Sequence, residues 1–177
     1  MASELNANEA PNNAVRNPGE PNHGVFVQAG QDRFMKPFYA GGRNIPTDCK
    51  VSTQDSHGGM YLYEHTNMGK GGPPRHVHFE QDEFFYAIKG EFIFEVGDEK
   101  FRLKTGDSIF APRKIPHVWA HVGDTPGSLL IALQPAGTFE AFFQEGSRFT
   151  QPPTREEVEK LFAAHEMQVV GDPLPIE

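Results

Sequence analysis

Three histidines and one glutamate, at positions 76, 78, 83 and 117, constrain this chain more than any other feature of its sequence. Side chains alternate between the two faces of a strand, so His76 and His78 point in the same direction. Imidazole and carboxylate groups are good ligands for first-row divalent ions. His117 is distant in the sequence, and only a fold that brings remote strands together lets it join the others. The spacing predicts a β-barrel that encloses one divalent metal ion, held by His76, His78, Glu83 and His117.

These residues carry a resemblance to the cupins, a family of small β-barrels defined by two short motifs. The first motif, G-x5-H-x-H-x3,4-E-x6-G, is matched by His76, His78, Glu83 and Gly90. The second motif, G-x5-P-x-G-x2-H-x3-N, is matched by Gly106, Pro112 and His117. The resemblance implies one bound divalent ion, and ligands of this kind leave Fe, Mn, Ni, Co and Zn open.

The chain departs from the cupin motifs at three positions. Lys70 takes the place of the first glycine, but Gly69 and Gly71 flank it, which favours a shifted loop. Lys114 replaces the glycine of the second motif and predicts a different turn there. His121 replaces the final asparagine, and two interpretations remain open: an extra polar group in the cavity, or a histidine hydrogen-bonded to a neighbouring strand.

The pattern of strands and turns predicts a mainly β fold, a single antiparallel β-barrel or jelly roll with short C-terminal helices. We expect a flexible N-terminal arm at residues 1–22, because this stretch is rich in Asn, Pro and Glu and poor in bulky apolar side chains. The barrel is predicted at residues 23–135, with early strands at Gly24–Gln28 and Lys50–Gln54. Residues 136–177 form the predicted helical extension that packs on it.

Two helices are indicated near the C-terminus. Phe139, Phe142 and Phe143 have the i, i+3, i+4 spacing of an aromatic helix face. Thr154 and Glu157 have the spacing of a capping box that begins a second helix. We interpret both helices as a packing surface, or a cap over one mouth of the barrel, in preference to a cofactor site.

Charge and composition favour a small-molecule ligand over a large anionic partner. The chain has 24 acidic and 16 basic residues and a net charge of -8, which opposes binding to nucleic acid or to anionic membranes. Its single cysteine, Cys49, excludes an intramolecular disulfide. The start of the chain lacks a secretory signal, and no apolar stretch could span a bilayer, so we expect a cytoplasmic protein. The cupin resemblance implies a homodimer.

The predicted ligand set leaves positions on the ion open to water, dioxygen or a chelating substrate. Such a site can polarise a bound oxygen anion or activate dioxygen. Aromatic residues on the expected inward faces predict a cavity for a flat organic ligand. The predicted pocket residues are Tyr61, Tyr63, Phe85, Phe92, Phe94, Trp119 and His121.

Residues 45–147 are similar to single-domain cupins of the quercetin 2,3-dioxygenase-like group. This resemblance implies a metal-dependent dioxygenase that cleaves a flavonol, with Glu83 as a metal ligand or as the catalytic general base. Three alternatives remain: a non-redox metal-dependent isomerase or lyase acting on an enolisable substrate, a cupin that binds or senses a small ligand without turnover, and a structural, storage-like barrel. Oxygen consumption separates the dioxygenase from the others.

Overall fold

The computed structural model describes residues 24–40 and 45–176, and within them the chain forms strands and two helices. In chain order the elements are β1 (Phe38–Ala40), β2 (Ile45–Val51), β3 (Tyr61–Met68), β4 (His76–His78), β5 (Asp82–Lys89), β6 (Phe92–Val96), β7 (Glu99–Leu103), β8 (Ser108–Ala111), β9 (His117–His121), β10 (Gly127–Gln134), α1 (Phe139–Gly146), α2 (Arg155–Ala164) and β11 (Met167–Val169).

The strands form two antiparallel sheets. One has six strands in the order β1-β2-β3-β10-β5-β8, and the other has five in the order β11-β4-β9-β6-β7. The pairing is antiparallel throughout the described strands. The mainly β, jelly-roll fold predicted from the sequence is therefore confirmed.

The core lies between the two sheets, and strand alternation fills it. In β3, Tyr61, Tyr63 and His65 are buried, while the residues between them are partly exposed. In β10, Leu129, Ile131 and Leu133 are fully buried. Inward-facing aromatic residues of the opposite sheet, including Trp119, complete this core. The alternating pattern arises because successive side chains of a strand point to opposite faces.

Two early strands differ from their predicted positions. Gly24–Gln28 has no strand structure, and Phe26 is 71% exposed. A sequence with β propensity forms a strand only where its side chains pack against neighbours, and Phe26 lacks such packing. The strand expected at Lys50–Gln54 lies earlier, at Ile45–Val51, where it pairs with both β1 and β3. The predicted arm at residues 1–22 lies outside the described residues.

The C-terminal segment contains the two predicted helices and one strand that was not predicted. Phe139 and Phe143 of α1 and Phe162 of α2 are buried against the barrel. Strand β11 then pairs with β4, the strand that carries two of the predicted ligands. Neither helix of the described residues has the length and apolar character needed to cross a membrane.

The capping box at the start of α2 is confirmed. The backbone N–H of Glu157 donates to the Thr154 side chain, and the Thr154 backbone N–H donates to the Glu157 carboxylate over 2.7 Å. These bonds satisfy backbone groups that a helix end leaves unpaired.

Removing the cap is expected to destabilise the protein modestly. Thr154→Ala should lower the free energy of unfolding by about 1 kcal/mol, because the first turn of α2 loses its side-chain acceptor. Chemical denaturation measures this value. Thr154→Ser keeps the hydroxyl and is the matched control. Equal stability of the alanine and serine variants would contradict a stabilising cap.

Candidate metal centre

The four predicted ligands come from three strands and meet between the two sheets. His76 and His78 occupy the two ends of β4, and Val77 between them points the other way. His117 begins β9 and is the direct pairing partner of His76. Glu83 comes from β5, in the opposite sheet. The barrel therefore brings together residues that are far apart in the sequence, as the spacing predicts.

The cluster is compact and buried. Each of the four residues offers one ligand atom, and these atoms all lie within 4.8 Å of one another. None of the four side chains is more than 5% exposed. The Glu83 Oε2 atom lies 2.9 Å from His117 Nε2 and 3.3 Å from His78 Nε2. Such a group of nitrogen and oxygen donors could hold a divalent metal ion.

Backbone carbonyls orient two of the three imidazoles. His76 Nδ1 lies 2.8 Å from the Pro74 carbonyl oxygen, and His117 Nδ1 lies 3.3 Å from that of Ile115. A carbonyl oxygen only accepts, so with a metal ion on the Nε2 side each Nδ1 would carry the proton and each Nε2 would present a lone pair to the ion. This arrangement is typical of metal-bound histidine, in which an outer contact fixes the ring and its tautomer.

The cluster also keeps its groups in the protonation states that a metal requires. Burial alone would raise the pKa of the Glu83 carboxyl, yet His78 and His117 together hold it well below its ordinary value. Burial, reinforced by the neighbouring His117 and His78, lowers the pKa of His76 well below its usual value. Glu83 is therefore ionised and His76 neutral at pH 7, and these are the ligand forms of the two side chains.

Two observations fit a cation held among these residues. Both ring nitrogens of His78 are buried without a hydrogen-bond partner among the described residues, and an unpaired buried polar atom is destabilising. Metal–nitrogen distances of about 2.1 Å place two donors of one ion no more than about 4.2 Å apart. The candidate ligand atoms are up to 4.8 Å apart, so small adjustments of the side chains would bring them within this limit.

A cavity of about 230 Å³ adjoins the cluster and contains His76 and Glu83 in its wall. Eight Phe, Tyr and Trp side chains, from both sheets, the helices and the segment between the helices, are in the remaining wall. The residues that line it are Tyr39, Ala40, Ile45, Tyr63, His65, Gly72, Pro73, Pro74, His76, Glu83, Trp119, Phe139, Phe142, Phe143, Gly146, Phe149, Pro153, Val158, Leu161, Phe162 and Met167. Helices α1 and α2 thus cover this mouth of the barrel, one of the two roles predicted for them.

Two of the seven predicted pocket residues, Tyr63 and Trp119, line the cavity. The other five are buried and do not line this cavity, so their role in a substrate pocket stays a prediction. Those five residues are Tyr61, Phe85, Phe92, Phe94 and His121, each at most 1% exposed. Phe85 and Phe94, for example, pack against each other with ring centroids 4.9 Å apart.

The structure describes two of the three motif departures. His121 Nδ1 lies 3.2 Å from the carbonyl oxygen of Gly69, directly after β3, and its ring packs on Phe92, which agrees with the second interpretation of this histidine. Lys114 has φ +67°, the left-handed conformation that glycine adopts most readily. Lys114 thus has a backbone angle that the glycine of the motif would also adopt readily, and the expectation of a different turn there stays a prediction. Its backbone N–H donates to the His78 carbonyl oxygen over 2.7 Å.

Sequence reasoning missed several cavity residues, of which His65 is the most polar. The alternation of β3 places His65 on the same face as Tyr61 and Tyr63, and this was the only available signal. The lining residues of α1 and α2, between Phe139 and Phe162, were also missed. The aromatic face of a helix predicts that the helix packs on another surface, but it does not indicate which surface.

Comparison with known proteins agrees with this fold and site. Residues 63–133 match the model of the cupin domain, and all four clustered residues lie within that range. A solved RmlC-like cupin from Shewanella frigidimarina has 22% sequence identity, covers 66% of this chain and 96% of its own, and superposes with a TM-score of 0.51. Residues 63–133 therefore match a cupin domain, and the fold of the described chain is that of a cupin.

Two curated relatives are similar at the sequence level. A 3-hydroxyanthranilate 3,4-dioxygenase from Bacillus thuringiensis is 34% identical over 55% of this chain and 55% of its own length. An uncharacterized protein from Methanocaldococcus jannaschii is 32% identical over 37% of this chain and 52% of its own length. The chain spans about half the length of the curated relatives it matches.

Proposed function

We propose that this protein is a metal-dependent dioxygenase that acts on a small molecule with a single aromatic ring. The observation that carries the proposal is the buried His-His-Glu-His cluster, two members of which, His76 and Glu83, line a small cavity with many aromatic side chains. Similarity to a relative named as a 3-hydroxyanthranilate 3,4-dioxygenase supports the reaction class. A redox-active ion bound by His76, His78, Glu83 and His117 would supply dioxygen activation.

The size of the cavity favours a single ring over the flavonol implied by the quercetin dioxygenase resemblance. Pockets for drug-sized ligands are typically about 300–1,000 Å³, whereas this cavity is about 230 Å³. An apolar cavity of about 150 Å³ is enough to bind benzene. One substituted ring therefore matches the space, and the fused rings and pendant ring of a flavonol would require α1 or α2 to move.

The charge of the cavity wall favours a substrate with neutral substituents away from the metal. Among the described lining residues there is no lysine or arginine, so a remote carboxylate would find no cation there. The polar side chains of the described lining are His65, His76, Glu83, Tyr39, Tyr63 and the indole of Trp119. A phenol or aromatic amine is the ring chemistry that such a wall accommodates.

The protein's own residues would hold the ring, exclude water and move one proton. Tyr63, Phe139 and Phe143 pack closely, with the Tyr63 and Phe143 ring centroids 4.7 Å apart, and form a dry wall for a flat ligand. Burial and the nearby Glu83 carboxylate raise the pKa of the Tyr63 hydroxyl well above its ordinary value, so it remains a donor. Glu83, in the cavity wall, would accept the proton of the substrate hydroxyl when its carboxylate is detached from the ion.

Oxygen uptake tests the proposal. The apo-protein is loaded separately with Fe(II), Mn(II), Ni(II), Co(II) or Zn(II) and supplied with 3-hydroxyanthranilate, 2-aminophenol, substituted catechols or quercetin. We expect uptake with at least one single-ring substrate and one redox-active ion, and none with Zn(II), which has no redox chemistry. Absence of uptake with every pairing would overturn the dioxygenase. Uptake with quercetin alone would overturn the single-ring substrate.

A further inference from the structure

His65 is a buried polar group in the cavity wall that the proposed chemistry does not use. It lies on β3, is 5% exposed and lines the same cavity as His76 and Glu83. The strand β10 separates β3 from β5, the strand of Glu83. Neighbouring strands are about 4.8 Å apart. A ligand in the cavity can therefore meet the metal cluster with one edge and His65 with another.

The ring of His65 is fixed in place by the groups around it. Its Nδ1 atom lies 2.9 Å from the hydroxyl oxygen of Thr47, its direct pairing partner on β2. Tyr63 and Phe143 pack edge-on against the ring, with centroid distances of 5.1 Å and 5.9 Å. A ring held by a hydrogen bond and two aromatic contacts presents its remaining nitrogen in one direction.

The two contacts of the Thr47 hydroxyl favour the tautomer of His65 that has its proton on Nδ1. The hydroxyl oxygen lies 3.3 Å from the Ile45 carbonyl oxygen, which can only accept, and so the single hydroxyl proton is donated there. The Thr47 oxygen must then accept from His65, which places the imidazole proton on Nδ1. The reverse arrangement would leave the Ile45 and Thr47 oxygens facing each other without a proton. Nε2 of His65 therefore has a free lone pair.

This lone pair has no hydrogen-bond partner among residues 24–40 and 45–176. Burial lowers the pKa of His65 to about 4, so the ring is neutral at pH 7 and does not attract an anion. A neutral acceptor in a largely apolar wall discriminates strongly between ligands, because a ligand without a donor leaves it unpaired.

We propose that His65 is a specificity-determining residue, whose Nε2 accepts a hydrogen bond from a hydroxyl or amino substituent of the substrate. Thr47 is its positioning residue. The inference rests on the proposed function for the location of the ligand, and it narrows the substrate class to aromatic rings with one neutral donor besides the group that meets the metal.

Anaerobic calorimetry with the Zn(II)-loaded full chain tests this recognition without turnover. The probes are two matched pairs: pyrogallol with 3-methylcatechol, and 1,2,4-trihydroxybenzene with 4-methylcatechol. Within each pair, the first compound has a hydroxyl group where the second has a methyl group of similar size. For the pair whose substituent faces His65, we expect the hydroxyl compound to bind about tenfold more tightly than the methyl compound.

Four variants assign that preference to the His65–Thr47 pair. His65→Phe keeps a flat ring and is expected to abolish the tenfold preference, whereas His65→Gln keeps an acceptor and should retain most of it. Thr47→Val removes the hydroxyl that bonds to His65 Nδ1 at nearly constant side-chain volume, and it should weaken the preference. Thr47→Ser keeps this hydroxyl and should preserve the preference. Zinc stoichiometry near that of the wild type shows that each variant has folded around the cluster.

Equal binding within both pairs by the wild type, undetectable binding of all four probes, or an unchanged preference in His65→Phe would each overturn the role of His65. Failure of the proposed function is distinguishable from these outcomes. If the preference depends on His65 but no metal supports oxygen uptake, the recognition role stands and the dioxygenase proposal fails.

Discussion

Replacement of His78 with alanine is expected to abolish metal retention. His78 has no hydrogen-bond partner for either ring nitrogen among the described residues, and its Nε2 atom lies 3.3 Å from Glu83 Oε2. Its loss leaves three of the four donors and a gap on one side of the cluster. We expect bound metal, measured by mass spectrometry after gel filtration, to fall from about one ion per chain to below about a tenth.

The same substitution should remove the stability that metal adds. An ion that binds only the folded state at about 1,000 times its dissociation constant contributes about 4 kcal/mol to the free energy of unfolding. The wild type should gain this amount on metal addition, and His78→Ala should gain almost none. Urea denaturation with and without metal measures the difference, so any effect of the substitution on the apo-protein cancels.

His121→Ala is the matched control, because His121 is a buried histidine outside the cluster. It should lose stability in the apo form, since its ring fills space against Phe92, yet retain one ion per chain. Full metal occupancy in His78→Ala, or equal metal loss in both variants, would contradict the assignment of the cluster.

The cluster could be predicted from sequence because two independent constraints agree on it. Strand alternation places His76 and His78 on one face, and the motif spacing requires a barrel that brings Glu83 and His117 to them. Neither constraint depends on details of packing. In the structure, His76 of β4 and His117 of β9 are direct pairing partners, as that prediction requires.

The cavity wall could not be predicted, because an inward-facing side chain can either fill the core or border a void. Tyr61 and Tyr63 have the same orientation on β3, but Tyr61 is fully buried against α1 and Tyr63 lines the cavity. The difference depends on where the helices lie over the barrel. The sequence pattern predicts that α1 has an aromatic face and does not indicate which part of the barrel this face covers.

Short elements with few neighbours were also beyond prediction. Strand β11 has three residues, too few for an alternating pattern, and it forms only because β4 offers an edge beside it. Lys114 is a second example. Lysine rarely has a left-handed backbone angle, yet the turn between β8 and β9 requires φ +67° at this residue. In both places the surrounding structure overrides the local preference.

Glu83→Gln is expected to separate proton transfer from metal retention. Glutamine keeps the shape of the side chain and an oxygen donor but removes the negative charge, so it cannot accept a proton. With a metal-binding site still formed by His76, His78 and His117, we expect metal occupancy to persist at saturating metal. Oxygen uptake should fall by about 10²–10⁴-fold, the usual contribution of a positioned general base.

Glu80→Gln provides the matched control for charge, because Glu80 is exposed on the loop before β5 and changes the net charge of the chain by the same amount. It should leave oxygen uptake and metal content unchanged. Loss of metal from Glu83→Gln at saturating concentrations would show that the carboxylate acts mainly as a ligand. Unchanged uptake in that variant, with metal retained, would exclude Glu83 as the base and require another group in the cavity wall to take the substrate proton. Tyr63 could not do so at neutral pH, because its raised pKa keeps the hydroxyl protonated.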